Sequence, residues 1–302
     1  LLLLDFPNIR HKGDLIKYFQ TNTETFDSVL VSKNKFAHVI NIPKKKGGNR
    51  EVIKLTNEDW KRFLKQINFS LHQLYTFPNC VQGFIPGRGI KSNSYFHLKN
   101  RQLLVCDIKD FYYSIKESDI SNIFKYFKAS DEIANLLAKL CTFEGILFPG
   151  LNTSPTLANL YCEKMDEKLS ILMTSHQGVY TRYADDLTFS SNQTLPNLKD
   201  ISELLENYNF KLQERKTRYS SPGQRQYVTG LSISDKRVPR LPRNFKRNIR
   251  LLVHLAEKLG VKEYHENLNS RNLFTLKGQL VFAMHIEPIF AKKYLVRLNR
   301  LI

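Results

Sequence analysis

No apolar run in this chain is long enough to span a bilayer, and no basic amphipathic anchor stands apart from the rest. A membrane partner is therefore not expected. The opening Leu1-Leu2-Leu3-Leu4 has no basic segment before it and no small-residue cleavage site, so it does not read as a signal peptide. The first residue is not Met, and the chain reads as a fragment. Cysteine is scarce. Cys80, Cys106, Cys141 and Cys162 form no Cys-x-x-Cys pair, which argues against a zinc site. Three of them lie in apolar surroundings, as expected of reduced, buried thiols in a cytoplasmic protein. Internal repeats and low-complexity linkers are absent too. Acids are also in short supply. Against 46 Lys+Arg stand only 28 Asp+Glu, a formal charge of +18. Such an excess calls for a polyanionic partner, of which nucleic acid is the commonest. At 302 residues the chain can bury a sizeable core as one large domain or two to three subdomains.

Because acids are few, their placement is informative. Asp185 and Asp186 follow Tyr183-Ala184, between two alternating runs, Val179 to Tyr183 and Leu187 to Ser190. A strand, a tight turn and a strand would set both carboxylates at a hairpin tip. Aspartate suits turns for local reasons as well. A third acid decides between these readings. Leu103 to Ile108 is an apolar run ending in Asp107, the pattern of a buried central strand. A carboxylate there needs a partner or a metal.

Elsewhere the chain alternates between helix and strand signals. Phe36 to Ile42 and Glu51 to Ile53 read as a hairpin whose long tip carries Lys44, Lys45, Lys46 and Arg50, suited to phosphate. Residues 57–75 read as a helix with a core stripe of Trp60, Phe63, Leu64, Ile67, Leu71 and Leu74. The helix predicted from Ser92 to Leu98 puts Asn93 and His97 on one face, where a lone histidine usually serves as a structural hydrogen bonder. Helices are predicted over 118–141, from Ser154 to about Leu172, and from Leu198 to Tyr208. Residues 226–233 read as a further strand or hairpin. From about 240 the chain becomes amphipathic: Arg243, Lys246, Arg247 and Arg250 form a basic face opposite Phe245, Ile249, Leu252 and Ala256. That stripe is suited to a phosphate backbone.

If the strands bearing Asp107 and Asp185-Asp186 are sheet neighbours, the three carboxylates can hold two Mg2+ ions about 3.5–4 Å apart, the clamp used for phosphoryl transfer. Oxygen ligands favour Mg2+, with Mn2+ as the other fitting ion, over zinc.

On these residues the chain resembles reverse transcriptases, and among them the bacterial retron and related phage-defence type. The resemblance runs from about Phe36 to the C-terminus. It rests on Thr-Arg-Tyr-Ala-Asp-Asp-Leu-Thr-Phe-Ser around Asp185, on Cys-Asp-Ile-Lys-Asp-Phe-Tyr around Asp107, and on Thr-Ser-Pro-x-Leu-Ala-Asn-Leu from Thr153. It implies an α+β right-hand polymerase: fingers over 1–100 with 118–150 contributing, a palm with an antiparallel sheet over 101–235, and a helical thumb over 236–302. By position it makes Asp107 and Asp185 metal ligands helped by the Ile108 carbonyl, with Asp186 as the third acid. Tyr112 falls at the steric gate against a ribose 2′-OH. Lys44, Lys45 and Arg50 fall where the triphosphate is gripped, Asp110, Phe111 and Gly150 in the nucleotide pocket, and Lys216 at the leaving pyrophosphate as a general acid.

Two motifs point to the retron branch and to recognition of a structured noncoding RNA: Val228-Thr229-Gly230, and Asn93-Ser94-Tyr95-Phe96-His97, which resembles Asn-Ala-x-x-His. One departure stands out. Pro149 occupies the place of a pocket-lining glutamine, and its side chain donates no hydrogen bond. The resemblance thus implies an RNA-directed DNA polymerase that uses dNTPs, binds an RNA and its DNA copy, primes from an RNA 2′-OH, and acts in anti-phage defence beside an effector protein. Two alternatives are a non-retron defence polymerase with untemplated or differently primed synthesis, and an RNA- and effector-binding scaffold with little turnover.

Overall fold

Where the polypeptide alternates it forms strands, and where apolar residues recur at three and four it forms helices. The structure is a computed structural model describing residues 3–44, 47–267 and 273–301, with the backbone alone for 261–267. Three short helices, α1 (Lys12–Tyr18), α2 (Thr23–Val31) and α3 (Lys33–Phe36), lead into a hairpin of β1 (Ala37–Pro43) and β2 (Asn49–Leu55). Helix α4 (Glu58–Leu74) starts where the Asn57 side chain accepts from the Trp60 amide, with Glu58 and Asp59 in its first turn. Its buried stripe is the one the spacing predicts from Trp60 to Leu71, whereas Leu74 in the last turn is exposed. The Trp60 indole donates to the Leu140 carbonyl at 2.9 Å and ties α4 to the helices that follow.

Short α5 (Ile90–Tyr95) precedes the central strand β3 (Gln102–Lys109). The single helix expected over 118–141 is instead two, α6 (Glu117–Tyr126) and α7 (Asp131–Cys141). Lys128 turns left-handed (φ 67°) and Ser130 caps the second helix, so local turn chemistry overrides the apolar periodicity. Likewise α8 (Ser154–Tyr161) and α9 (Glu163–Ser175) divide at Cys162. Then come β4 (Gly178–Tyr183), β5 (Asp186–Ser191), α10 (Leu198–Glu206), and the short strands β6 (Lys211–Leu212), β7 (Arg218–Ser220), β8 (Tyr227–Val228) and β9 (Leu231–Ser232).

One sheet organises the middle of the chain. Its order is β4-β5-β3-β6, β7 also pairs with β3, and every pairing is antiparallel. Tyr180 and Phe189 from its strands meet Met165, Leu169, Ile201 and Leu205 from the backing helices. The same continuous core extends back to Leu4, so the N-terminal helices and the sheet share one interior. Each fully buried Leu, Ile or Phe there contributes about 1.5–3 kcal/mol.

Three helices close the chain: α11 (Arg243–Asn267), α12 (Leu273–Ile286) and α13 (Pro288–Asn299). They have a core of their own around Ile249, Val253, Leu276, Leu280 and Leu298. Gly260 breaks α11 with φ 73° and ψ 167°, backbone angles open to glycine. Among the described residues no helix is long and apolar enough to cross a membrane.

Candidate active site

The β4–β5 hairpin closes on a two-residue tip, Ala184-Asp185, between the paired Tyr183 and Asp186. Ala184 takes a left-handed backbone (φ 56°), unusual for a residue with a Cβ. Pairing of β5 with β3 then sets Asp107 directly opposite Asp186, and the Ile108 amide donates to the Asp185 carbonyl at 2.9 Å. The expected meeting of three acids therefore follows from strand register. All three occupy one end of the sheet.

Lys216 arrives by a short local route. The Gln213 amide donates to the Asp107 carbonyl at 2.7 Å, and a tight turn over Glu214–Lys216 brings the ammonium round. Lys216 Nζ donates to both Asp107 carboxylate oxygens, 2.8 Å from each. The other two acids are less well compensated. Burial and the charges of Asp185 and Asp107 push Asp186 up to about 6, against the opposing pull of Lys216 and Arg218. Burial and the Asp107 charge also raise Asp185, while Lys216 and Arg50 oppose that rise. Such a group is short of positive charge.

Among the described residues no three His, Cys, Asp or Glu side chains are drawn tightly enough together to enclose an ion, and Asp107 is paired with Lys216. The donor set nonetheless fits a hard divalent cation: it offers carboxylate oxygens only, at two acids whose ionisation a cation would ease.

The reverse transcriptase (RNA-dependent DNA polymerase) family pattern matches residues 42–250, which include all three acids and Lys216. The chain belongs to the reverse transcriptase family. Among characterised relatives, it is 28% identical to the retron Mx162 reverse transcriptase of Myxococcus xanthus over 86% of this chain and 60% of that one. It is 27% identical to the retron Ec86 reverse transcriptase of Escherichia coli, covering 83% of this chain and 79% of the relative. The chain thus spans about three fifths of the Mx162 protein's length. Among solved structures, apo telomerase from Candida tropicalis superposes with a TM-score of 0.52 at 10% identity, over 92% of this chain and 62% of that one. The shared architecture is the α+β right-hand polymerase fold.

Around the acids, the fold places the other expected residues unevenly. Tyr112 is half-buried beside Asp185, and burial followed by that charge pushes its phenol above its ordinary range. Arg50, on β2, lies close enough to act on both Tyr112 and Asp185. Lys44 closes the hairpin tip, its amide donating to the Gly48 carbonyl at 2.9 Å, whereas Lys45 lies outside the described residues. Asp110 is exposed with a left-handed backbone (φ 49°) and closes the turn after β3. The Phe111 ring is buried, stacks on Phe210 at 5.4 Å and carries the Arg182 guanidinium over its face.

Gly150 acts through its backbone. The Ile53 amide of β2 donates to the Pro149 carbonyl at 2.8 Å, and a Cβ on Gly150 would lie 2.3 Å from the Ile53 carbonyl oxygen. The loop with the unexpected proline is therefore a docking edge for the N-terminal hairpin.

The residues assigned to RNA by sequence divide in the same way. Asn93 and His97 are fully buried and offer RNA no surface. His97 hydrogen-bonds Ser190 Oγ through Nδ1 at 2.6 Å and Thr181 Oγ1 through Nε2 at 2.7 Å. Asn93 Nδ2 donates to Thr229 Oγ1 at 3.4 Å. Val228 is also buried, leaving Thr229-Gly230 as the tip of the β8–β9 hairpin. On α11 the basic face loses Lys246, which pairs with Glu287 at 3.2 Å. Glu287 lies forty-one residues further on, so a helical wheel cannot show it. Arg243, Arg247 and Arg250 remain exposed.

His97 carries a pH prediction. Burial pushes its ring down to about 3 from the ordinary 6.5. Below about 6.5 the unfolded chain takes up a proton that the folded chain refuses until about 3. Stability is therefore lost as pH falls through that window, by about 1.4 kcal/mol per unit. Urea titrations from about pH 7 to 4.5 should show His97→Gln losing stability less steeply than wild type, by one proton. Equal slopes would show that the ring titrates freely in the folded state.

Sequence reading overlooked the residues that hold the catalytic turn. Arg182 is fully buried, paired with Asp166 of α9 at 2.6 Å, and its Nη1 donates to Asn159 Oδ1 at 2.9 Å and to the Ala184 carbonyl at 3.3 Å. Tyr180 donates to the same Asp166 at 2.7 Å. Strand alternation carried a signal, because Arg182 shares the inward parity of Tyr180. Gly83 presses on the turn from the other side.

Proposed function

We propose that this protein is an RNA-directed DNA polymerase of the retron type, copying a structured noncoding RNA into DNA. The observation that carries the reading is the register of Asp107 against Asp186, with Asp185 at the adjoining tip and Lys216 facing them. In this reading residues 1–100 with 118–150 are the fingers, 101–235 the palm and 236–302 the thumb. Asp107, Asp185, Asp186 and the Ile108 carbonyl would hold Mg2+, or Mn2+. Bound there, the metal supplies Lewis acidity toward a 3′- or 2′-hydroxyl and a triphosphate.

The protein's own groups do the remainder. Arg50 and Lys44, with Lys45, draw in the triphosphate, and the Tyr112 ring fills the space beneath the sugar C2′. Lys216 holds a proton at Nζ for the departing pyrophosphate. Arg243, Arg247 and Arg250 track the phosphate backbone of the RNA and its DNA copy. With the likeness to retron reverse transcriptases, the reading extends to an RNA partner, priming from an RNA 2′-OH, and a defence role beside an effector.

Two experiments test this. Nucleic acid copurified with wild type should contain DNA joined to RNA and released by a 2′-5′ debranching enzyme, and Asp185→Ala/Asp186→Ala should contain none. Unbranched DNA would favour another defence polymerase, and RNA alone a binding scaffold. Separately, Tyr112→Ala should raise ribonucleotide over deoxyribonucleotide use by about tenfold or more, equivalent to roughly 1.4 kcal/mol. An unchanged sugar preference would remove Tyr112 from the gate.

A further inference from the structure

Within the motif from Asn93 to His97, Asn93, Ser94 and His97 are buried while Tyr95 and Phe96 are exposed, and α5 with this motif touches three parts of the molecule. At the start of α5, Ile90 packs into the apolar cluster of Leu231, Leu241, Ala283 and Ile286, and Lys91 Nζ donates to the His285 carbonyl at 3.0 Å. Those contacts join α5 to the C-terminal helices. Along its length α5 grips the β8–β9 turn: Ser94 Oγ donates to the Val228 carbonyl at 3.0 Å, and Thr229 Oγ1 to the Ile90 carbonyl at 3.2 Å. Beyond its end, His97 bridges Thr181 on β4 and Ser190 on β5. A second link starts from Ser92, whose Oγ donates to Gln82 Oε1 at 2.7 Å, and the Gln82 amide donates to the Arg182 carbonyl at 2.8 Å.

The far joint is strained and the near joint is tight. Thr229 is β-branched yet has φ 45°, a conformation that persists only where its surroundings enforce it. Asn93 Oδ1 beside it is buried without a hydrogen-bond partner. At the other end both imidazole nitrogens are engaged, and Ser190 Oγ also accepts from Asn100 Nδ2 at 2.7 Å. Val228 also packs on Leu103 of β3, so α5 runs beside a direct contact, and an element fixed at both ends carries displacement between the units it joins.

We propose that α5 is a strut through which nucleic acid seated on the Thr229-Gly230 turn and the C-terminal helices sets the position of the catalytic hairpin, with Thr229 and His97 as positioning residues. The inference rests on the polymerase reading for its activity arm and on the fold alone for its exchange arm.

A double-mutant cycle across the two joints tests it. Thr229→Val and Ser190→Ala are each expected to lower kcat for dTTP addition on poly(rA)/oligo(dT) about tenfold, with KM for dTTP within about twofold. The double variant should fall no further, because one cut already frees the hairpin. Thr229→Ser keeps Oγ1 and should restore kcat. Thr181→Val cuts the near joint if Ser190→Ala does not fold. Independently of turnover, Thr229→Val should speed amide exchange across residues 179–190 about tenfold.

Effects that multiply to about a hundredfold in the double variant, or unchanged exchange in the hairpin, would overturn the strut. Wild type that adds no dTTP would count against the polymerase reading alone, and the exchange arm would then decide.

Discussion

Replacing Asp166 with alanine is expected to lower the unfolding free energy by about 3–5 kcal/mol, read from urea denaturation. Asp166 and Arg182 are both fully buried, and the carboxylate receives Nε, Nη2 and the Tyr180 hydroxyl. Burial alone favours a neutral guanidine, but the Asp166 charge outweighs it and keeps Arg182 protonated. Without that carboxylate a cation stays in the interior with only neutral acceptors. Against a typical total of about 5–15 kcal/mol, the loss is severe. Replacing both partners with apolar residues, as in Asp166→Leu/Arg182→Met, should recover much of the stability. Activity should not return with it, because the Ala184 carbonyl still lacks its donor. A cost below about 1 kcal/mol for Asp166→Ala would show that the pair is hydrated or readily rearranged.

Gly83→Ala is expected to lower the rate of single nucleotide addition about a hundredfold, the scale of a 1 Å displacement near reacting groups. The added Cβ would lie 2.8 Å from the Ala184 amide nitrogen and 3.2 Å from the Tyr183 carbonyl carbon. Both obstacles are backbone, and neither can rotate aside. Gly83 itself is fixed, since its carbonyl accepts from Asn159 Nδ2 at 2.9 Å. The catalytic turn must yield, carrying Asp185 with it. Stability should fall by only about 1–3 kcal/mol, as for an overpacked contact. Single-turnover addition by wild type and variant, at saturating dNTP, separates the two effects. A variant within about twofold of wild type would mean that the turn tolerates the shift.

Much of this molecule is written locally. The hairpin at Tyr183 to Asp186, the central strand ending at Asp107, and the cap and stripe of α4 each follow from residues within a few positions of one another. The order of motifs also carried the family, which the match over residues 42–250 bears out.

What local pattern could not decide was which polar groups turn inward. The helix expected to reach Leu98 ends at Tyr95, so His97 lies beyond the helix that carries Asn93, and both are buried. The groups that hydrogen-bond both His97 ring nitrogens and Asn93 Nδ2 are Thr181, Ser190 and Thr229, 84 to 136 residues away. Lys246 leaves the basic stripe for the same reason, through Glu287, and the Phe111 ring turns inward because Phe210 offers it a buried face. The sequence by itself determined the elements, the acids and the family. Tertiary structure alone decided which charges and hydrogen-bonding groups are internal, because burying them is favourable only where a distant segment supplies the partner.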